Sequence, residues 1–158
     1  MSSVKSALKT LPPDLVEPLV QATASVCETS FFAFTEPASA EVLAQIPAEE
    51  SWFHSIVDFT GPMSGRVTVM VPSGLARELF GAFLGFDEND VYNNAELHDM
   101  VGEFGNMVCG TWLTSLGREQ CFDLAHPEVV LGGIPAPDEH GIVLAVNDRP
   151  VLVRAEVV

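Results

Sequence analysis

An α+β fold, a mainly antiparallel β-sheet with long helices packed on one face, is what this 158-residue chain predicts. Three observations carry that expectation. The elements run helix, strands, two helices, strands, instead of alternating strictly. Val67, Val69 and Val71 alternate with Arg66, Thr68 and Met70, as a half-buried strand requires. Two strand pairs are joined by turn-forming segments, Gly61-Pro62-Met63-Ser64 and Asn147-Asp148-Arg149-Pro150.

The length suits one domain spanning residues 1–158, with 1–13 as a flexible or short lead. Pro12 and Pro13 suit the entry of a first helix, Asp14–Phe32, whose apolar side carries Leu15, Leu19, Ala22 and Val26. Pro18 is tolerable there only because it lies close to the first turn. A short strand is expected around Glu41–Ile46, followed by the pair Trp52–Thr60 and Gly65–Val71. Pro72 and Ser73 end that strand and cap a helix running to about Leu84. Residues 85–90 form an acidic connector. Asn93 with Glu96 three residues later makes a capping-box-like start for the next helix, and Gly117 suits its C′ position. Strands at Gln120–Leu124, Gly141–Val146 and Val151–Val157 complete the sheet, the last two as a hairpin, with Gly132–His140 as a loop. The terminal strand is a plausible pairing edge.

The long helix between Ala95 and Leu116 is the most informative segment. At about 100° per residue, Asp99, Glu103, Asn106 and Gly110 fall within an arc of roughly 60°. Leu97, Val101, Phe104, Val108 and Trp112 gather on the opposite side. One face is therefore pinned to a core while the other presents a carboxylate and an amide one turn apart. The stripe carries no Lys or Arg, although an ordinary solvated face mixes both signs of charge. Gly102, Gly105 and Gly110 lie on or beside it, and each costs roughly 1 kcal/mol of helix stability relative to Ala. Three such residues imply close approach of something large.

Asp99 and Gly102-Glu103-Phe104-Gly105-Asn106-Met107-Val108-Cys109-Gly110 resemble the phosphatase helix of the CheC/CheX/FliY group of bacterial chemotaxis proteins. Asp99, Glu103 and Asn106 match that pattern's spacing, and Pro127 resembles its trailing proline, placed slightly early. The order of elements from Asp14 to Val158 is similar to the CheX/CheC fold. The first helix lacks a second Glu-x-x-Asn, so the single copy points to the CheX type. The resemblance implies a phosphatase hydrolysing the aspartyl phosphate of a CheY-like response regulator, with Asn106 and Glu103 as catalytic residues. Asn106 would orient the attacking water, and Glu103 would pair with the regulator's lysine. Asp99, Gly102 and Gly110 would join Glu103 in contacting the partner. It further implies a homodimer joined through the sheets, and no cofactor beyond the Mg2+ of the partner's own site. The alternative is a non-catalytic adaptor of the same fold, binding a signalling or flagellar-switch partner.

Composition argues in the same direction without the resemblance. With 22 acidic and 7 basic residues, the net charge of −15 disfavours nucleic acid and anionic membranes. It also leaves few cations to hold an anionic substrate, so any phosphate chemistry needs a second molecule to supply them. No stretch approaches the roughly 18 apolar residues that span a bilayer, and no signal-type segment opens the chain; a cytoplasmic location is the expectation. Cys27, Cys109 and Cys121 form no Cys-x-x-Cys pair and are expected to be buried free thiols. Glu96, His98, Asp99 and Glu103 do not make a metal site, because Glu-x-His directs its side chains about 200° apart on a helix. No Ser/His/Asp or Cys/His arrangement is traceable.

Overall fold

The computed structural model describes residues 9–83, 85, 94–117, 121–135 and 141–158. In chain order these form β1 (Lys9–Thr10), a 3₁₀ turn (Pro13–Leu15) leading into α1 (Val16–Phe31), and β2 (Thr35–Pro37). A second 3₁₀ segment (Ala40–Gln45), β3 (Trp52–Thr60), β4 (Gly65–Pro72) and α2 (Ser73–Phe83) follow. Then come α3 (Asn94–Leu116), β5 (Asp123–Leu124), β6 (Glu128–Gly132), β7 (Gly141–Val146) and β8 (Arg149–Val157).

All strand pairings are antiparallel, in the order β2-β7-β8-β4-β3. The far side of β3 is shared by β6, beside Trp52–Ile56, and β5, beside Phe59–Thr60. Asn147 and Asp148 turn β7 into β8 with φ of 48° and 67°, the pair of positive values that a two-residue hairpin of right-handed twist demands.

Side-chain alternation then sorts the two faces. Phe53, Ser55, Val57 and Phe59 of β3 join Val67, Val69 and Val71 of β4 and Val151, Val153 and Ala155 of β8 under the helices. Leu19, Ala22 and Val26 of α1 and Phe80 of α2 fill that core from above. So do Leu97, Val101, Phe104, Val108 and Trp112 of α3, all 1% exposed or less. Trp112 also ties the helices together, its indole N–H donating to the Leu15 carbonyl at 3.3 Å. On the opposite face the second 3₁₀ segment covers a small cluster of Leu43, Trp52, Met70 and Leu152.

Several expectations are corrected. Residues 41–46 are not a strand. Val42 N–H bonds to Ser39 O and Ile46 N–H to Leu43 O in 3₁₀ fashion, which buries Leu43 against Trp52. The strand in this region is β2, where Pro37 is tolerated because it ends an edge strand. The lead is ordered at its end, where Lys9 and Thr10 pair with Val157 and Glu156. The terminal strand is no edge: β8 lies between β4 and β7, with β1 continuing beside it. Residues 128–131, which the sequence pattern leaves unassigned, and Gly132, expected to open a loop, form an edge strand. Asn93, Leu84, Gln120, residues 86–90 and residues 136–140 of the predicted loop lie outside the described residues.

Cys27 and Cys109 are buried and Cys121 is exposed, so the expectation of three buried thiols is right for two. Burial pushes the Cys27 and Cys109 thiols up to about 12, leaving essentially no thiolate at neutral pH. Titration with a chromogenic disulfide should therefore modify one thiol quickly in the native protein, Cys121, and all three in denaturant. Fast reaction of two or more native thiols would contradict this packing.

Candidate functional site

The site is built on α3 by the way its buried side is anchored. Phe104 packs edge-on to Phe31 with ring centroids 5.7 Å apart and is tilted against Phe80 at 5.5 Å. His98 meets Phe53 edge-on at 5.2 Å. Gly105 lies directly over β3: a Cβ there would fall on the Ser55 hydroxyl and 2.8 Å from Ser55 Cβ. Gly102 lies under the segment leading into β6, where a Cβ would come within 3.2 Å of Pro127 and 3.3 Å of Val129. These contacts set the roll of the helix, so that Asp99 and Glu103 are exposed and Asn106 and Gly110 are half-buried on the outer side.

The glycines thus divide. Gly102 is buried, and its smallness admits Pro127 and Val129 of the same chain; it does not sit on the accessible stripe as a partner contact. Gly105 admits the sheet. Only Gly110 of the three faces open space, where an added Cβ would meet nothing within 4 Å. The large object that approaches this helix closely is, at two of three positions, its own fold.

Beside the stripe runs a groove of about 440 Å³ between α1 and α3, lined by Asn106, Met107 and Gly110 on one wall and Ser25, Thr29 and Ser30 on the other. Sequence reasoning placed no site residues on α1. The signal was present: Ser25 and Thr29 are exposed hydroxyl residues one turn apart, bordering the Ala22 edge of the apolar side of α1. Thr29 donates its hydroxyl proton to the Ser25 carbonyl at 2.6 Å. Among the described residues that line the groove, none carries a charged side chain.

The carboxamide oxygen of Asn106 is enclosed and has no hydrogen-bond partner among the described residues. An unpaired buried acceptor costs about 1–3 kcal/mol. The torsion carrying the amide is broad and roughly two-fold, so a half-turn exchanges its oxygen and NH₂ group at small cost. The side chain is thus held in an arrangement that a new donor can improve. Cys109, three residues on, is no nucleophile, because burial keeps it a thiol. Among the described residues no group of three or more His, Cys, Asp or Glu could hold a metal ion.

Helices cover one face of an antiparallel sheet, with an amide and a carboxylate on the outer side of the longest helix. The family model described as chemotaxis phosphatase CheX matches residues 53–140, more than half of the sequence, and the chain belongs to that family. Solved structures agree on the fold. A chemotaxis protein CheX from Desulfovibrio desulfuricans is 22% identical, covers 92% of this chain and 99% of its own, and superposes with a TM-score of 0.70. CheX from Vibrio vulnificus is 23% identical over 94% of this chain and 98% of its own, with a TM-score of 0.68. The CheX of a CheX-CheY-BeF3-Mg+2 complex from Borrelia burgdorferi is 15% identical over 92% and 99%, with a TM-score of 0.64. No curated protein sequence is a significant match to the chain.

The two glycine environments make opposite predictions. Gly105→Ala gains about 1 kcal/mol of helix propensity but must displace Ser55, so a net loss of about 1–3 kcal/mol is expected. Gly110→Ala meets open space and should raise stability by about 0.5–1 kcal/mol. Denaturant midpoints at unchanged slope measure both, and equal effects would contradict the seating of α3.

Proposed function

We propose that this protein is a phosphatase for the aspartyl phosphate of a CheY-like response regulator, with Asn106 placing the attacking water and Glu103 fixing the docked register. The observation that carries this is the stripe itself: Glu103 exposed and Asn106 at the rim of a groove, on a helix without a single Lys or Arg. CheX membership and the existence of a solved CheX-CheY complex support a CheY-like partner.

The chemistry divides between two molecules. Hydrolysis of an acyl phosphate needs a water in line with the departing aspartate oxygen, and its loose transition state is served by positioning and charge stabilisation. The regulator brings the phosphoryl group, the Mg2+ and a lysine. An amide oxygen can accept from the water while staying neutral beside the phosphoryl oxygens, where a carboxylate would add repulsion. The enclosed Asn106 oxygen must turn outward to do this, and a water donor in the docked state supplies the bond it lacks. Glu103 faces the regulator's lysine, a charge-assisted contact worth about 1.5–3 kcal/mol. Asp99, exposed one turn before Glu103, contributes to the rim.

The adaptor alternative has one observation in its favour, the Asn106 oxygen turned inward. It predicts binding without a change in acyl-phosphate lifetime. No helix among the described residues is long and apolar enough to cross a membrane, and a regulator partner implies a cytoplasmic chain. For the homodimer through the sheets, β6 is the better edge, since Val130 and Leu131 are 38% and 54% exposed there.

Asn106→Ala should lower the acceleration of phosphate release about 100-fold or more while leaving the affinity for phosphorylated regulator within a few-fold. Release at the wild-type rate would refute the role given to the amide. Glu103→Lys should weaken binding about tenfold or more, because a favourable contact becomes a repulsive one. Unchanged affinity in a titration would count against the pairing with lysine.

A further inference from the structure

Phe32 occupies a position that neither folding nor packing explains. It ends α1 with φ 54° and ψ 32°, in the left-handed region. That region disfavours a bulky L-residue, and Gly or Asn is its usual occupant at a helix end. The phenyl ring is 89% exposed, so burial returns nothing. Phe34 is 64% exposed and held firmly: its N–H donates to Asn147 Oδ1 at 2.9 Å, and its carbonyl accepts the Asn147 N–H at 2.8 Å. The backbone therefore holds two aromatic residues out in solvent, one of them at a cost. A backbone outlier that the fold does not require points to function.

Their location ties them to the stripe. Phe31, the residue before Phe32, packs on Phe104, the residue after Glu103. Ser30 lines the groove together with Asn106. Phe32 thus follows, two residues on, the α1 wall of the groove whose other wall carries Asn106. Every charged side chain of α1, β2 and α3 is a carboxylate, among them the exposed Glu28, Glu36, Asp99 and Glu103. An aromatic anchor ringed by anions fits a partner surface that is apolar at its centre and basic around it. Aromatic side chains, Phe among them, are enriched at the buried centres of such interfaces, and preorganisation lowers the cost of binding.

We propose that Phe32, with Phe34 beside it, is the apolar anchor by which this chain grips the receiver domain whose phosphoryl group Asn106 and Glu103 address. The proposal rests on the phosphatase reading and adds a contact which that reading lacks. Phe32 touches no reacting atom; it holds the complex together.

The test is Phe32→Gly, with Phe32→Asn as a second variant, each assayed for thermal stability, affinity and turnover. Both replacements suit the left-handed backbone and give up almost no buried surface, so Tm should rise by about 2–4 °C. Affinity for a beryllofluoride-saturated receiver should fall about tenfold or more, with kcat at saturating phosphorylated receiver unchanged. Unchanged affinity, with Asn106→Ala still losing turnover, would overturn the anchor and leave the phosphatase reading intact. A fall in Tm would show that the ring serves the fold and overturn it too. A shift from dimer to monomer in sedimentation at unchanged receiver affinity would overturn it by assigning the patch to a second copy of this chain. If wild-type protein neither binds nor dephosphorylates any receiver in a panel, the phosphatase reading fails and the anchor with it.

Discussion

The contact on which the rest of the structure depends is Gly105 of α3 pressed onto Ser55 of β3. The helix backbone meets the short Ser55 side chain there with no side chain of its own between, and Gly102 repeats the device one turn earlier beneath Pro127 and Val129. The two contacts are three residues apart on one side of the helix, which removes its freedom to roll. Once the roll is set, the distribution of every other side chain follows. Phe104 has only the aromatic core to enter, Glu103 only the outer surface, and Asn106 sits half-buried beside it. The helix gives up propensity at two positions, and close packing in the core offsets that loss.

A second consequence concerns charge. The stripe offers an anion and a neutral amide, and the groove beside it is lined by hydroxyls, Met107 and Gly110. Alone, such a surface is a poor host for a phosphoryl group: it repels the ligand and stabilises none of the charge that develops on transfer. It becomes useful only against a second surface that is already cationic. The net charge of −15 acts in the same sense over longer range, favouring encounter with basic faces and disfavouring nucleic acid. The proposed division of labour between two proteins accords with the charge balance as well as with the site.

Much of this was legible in the sequence because it is local. The face of α3 follows from 3.6-residue periodicity, β3 and β4 from alternation, and the β7–β8 hairpin from Asn147-Asp148. What escaped was set by distant partners. β1, β2 and β6 have five residues or fewer, too short for a period to register, and exist because a longer strand offers them an edge. The apparent strand at Glu41–Ile46 is a 3₁₀ segment because Leu43 is drawn to Trp52 on the far face of the sheet. The groove needed α1 docked against α3, and the inward turn of the Asn106 oxygen is a torsion that no sequence pattern encodes. The glycines were read correctly as a sign of close approach, but at Gly102 and Gly105 the approaching body is this chain's own strand and proline.

The central claim is that the outer side of α3 is the face presented to a phosphorylated receiver. Its most direct test is an NMR titration of isotope-labelled protein with a beryllofluoride-saturated receiver, followed at side-chain amide and backbone resonances. The account predicts that the Asn106 carboxamide and the Glu103 and Gly110 backbone signals shift together, while Ser55 and Val57 beneath the helix stay in place. Shifts confined to the Trp52–Met70 face of the sheet, with the Asn106 carboxamide unmoved, would contradict it.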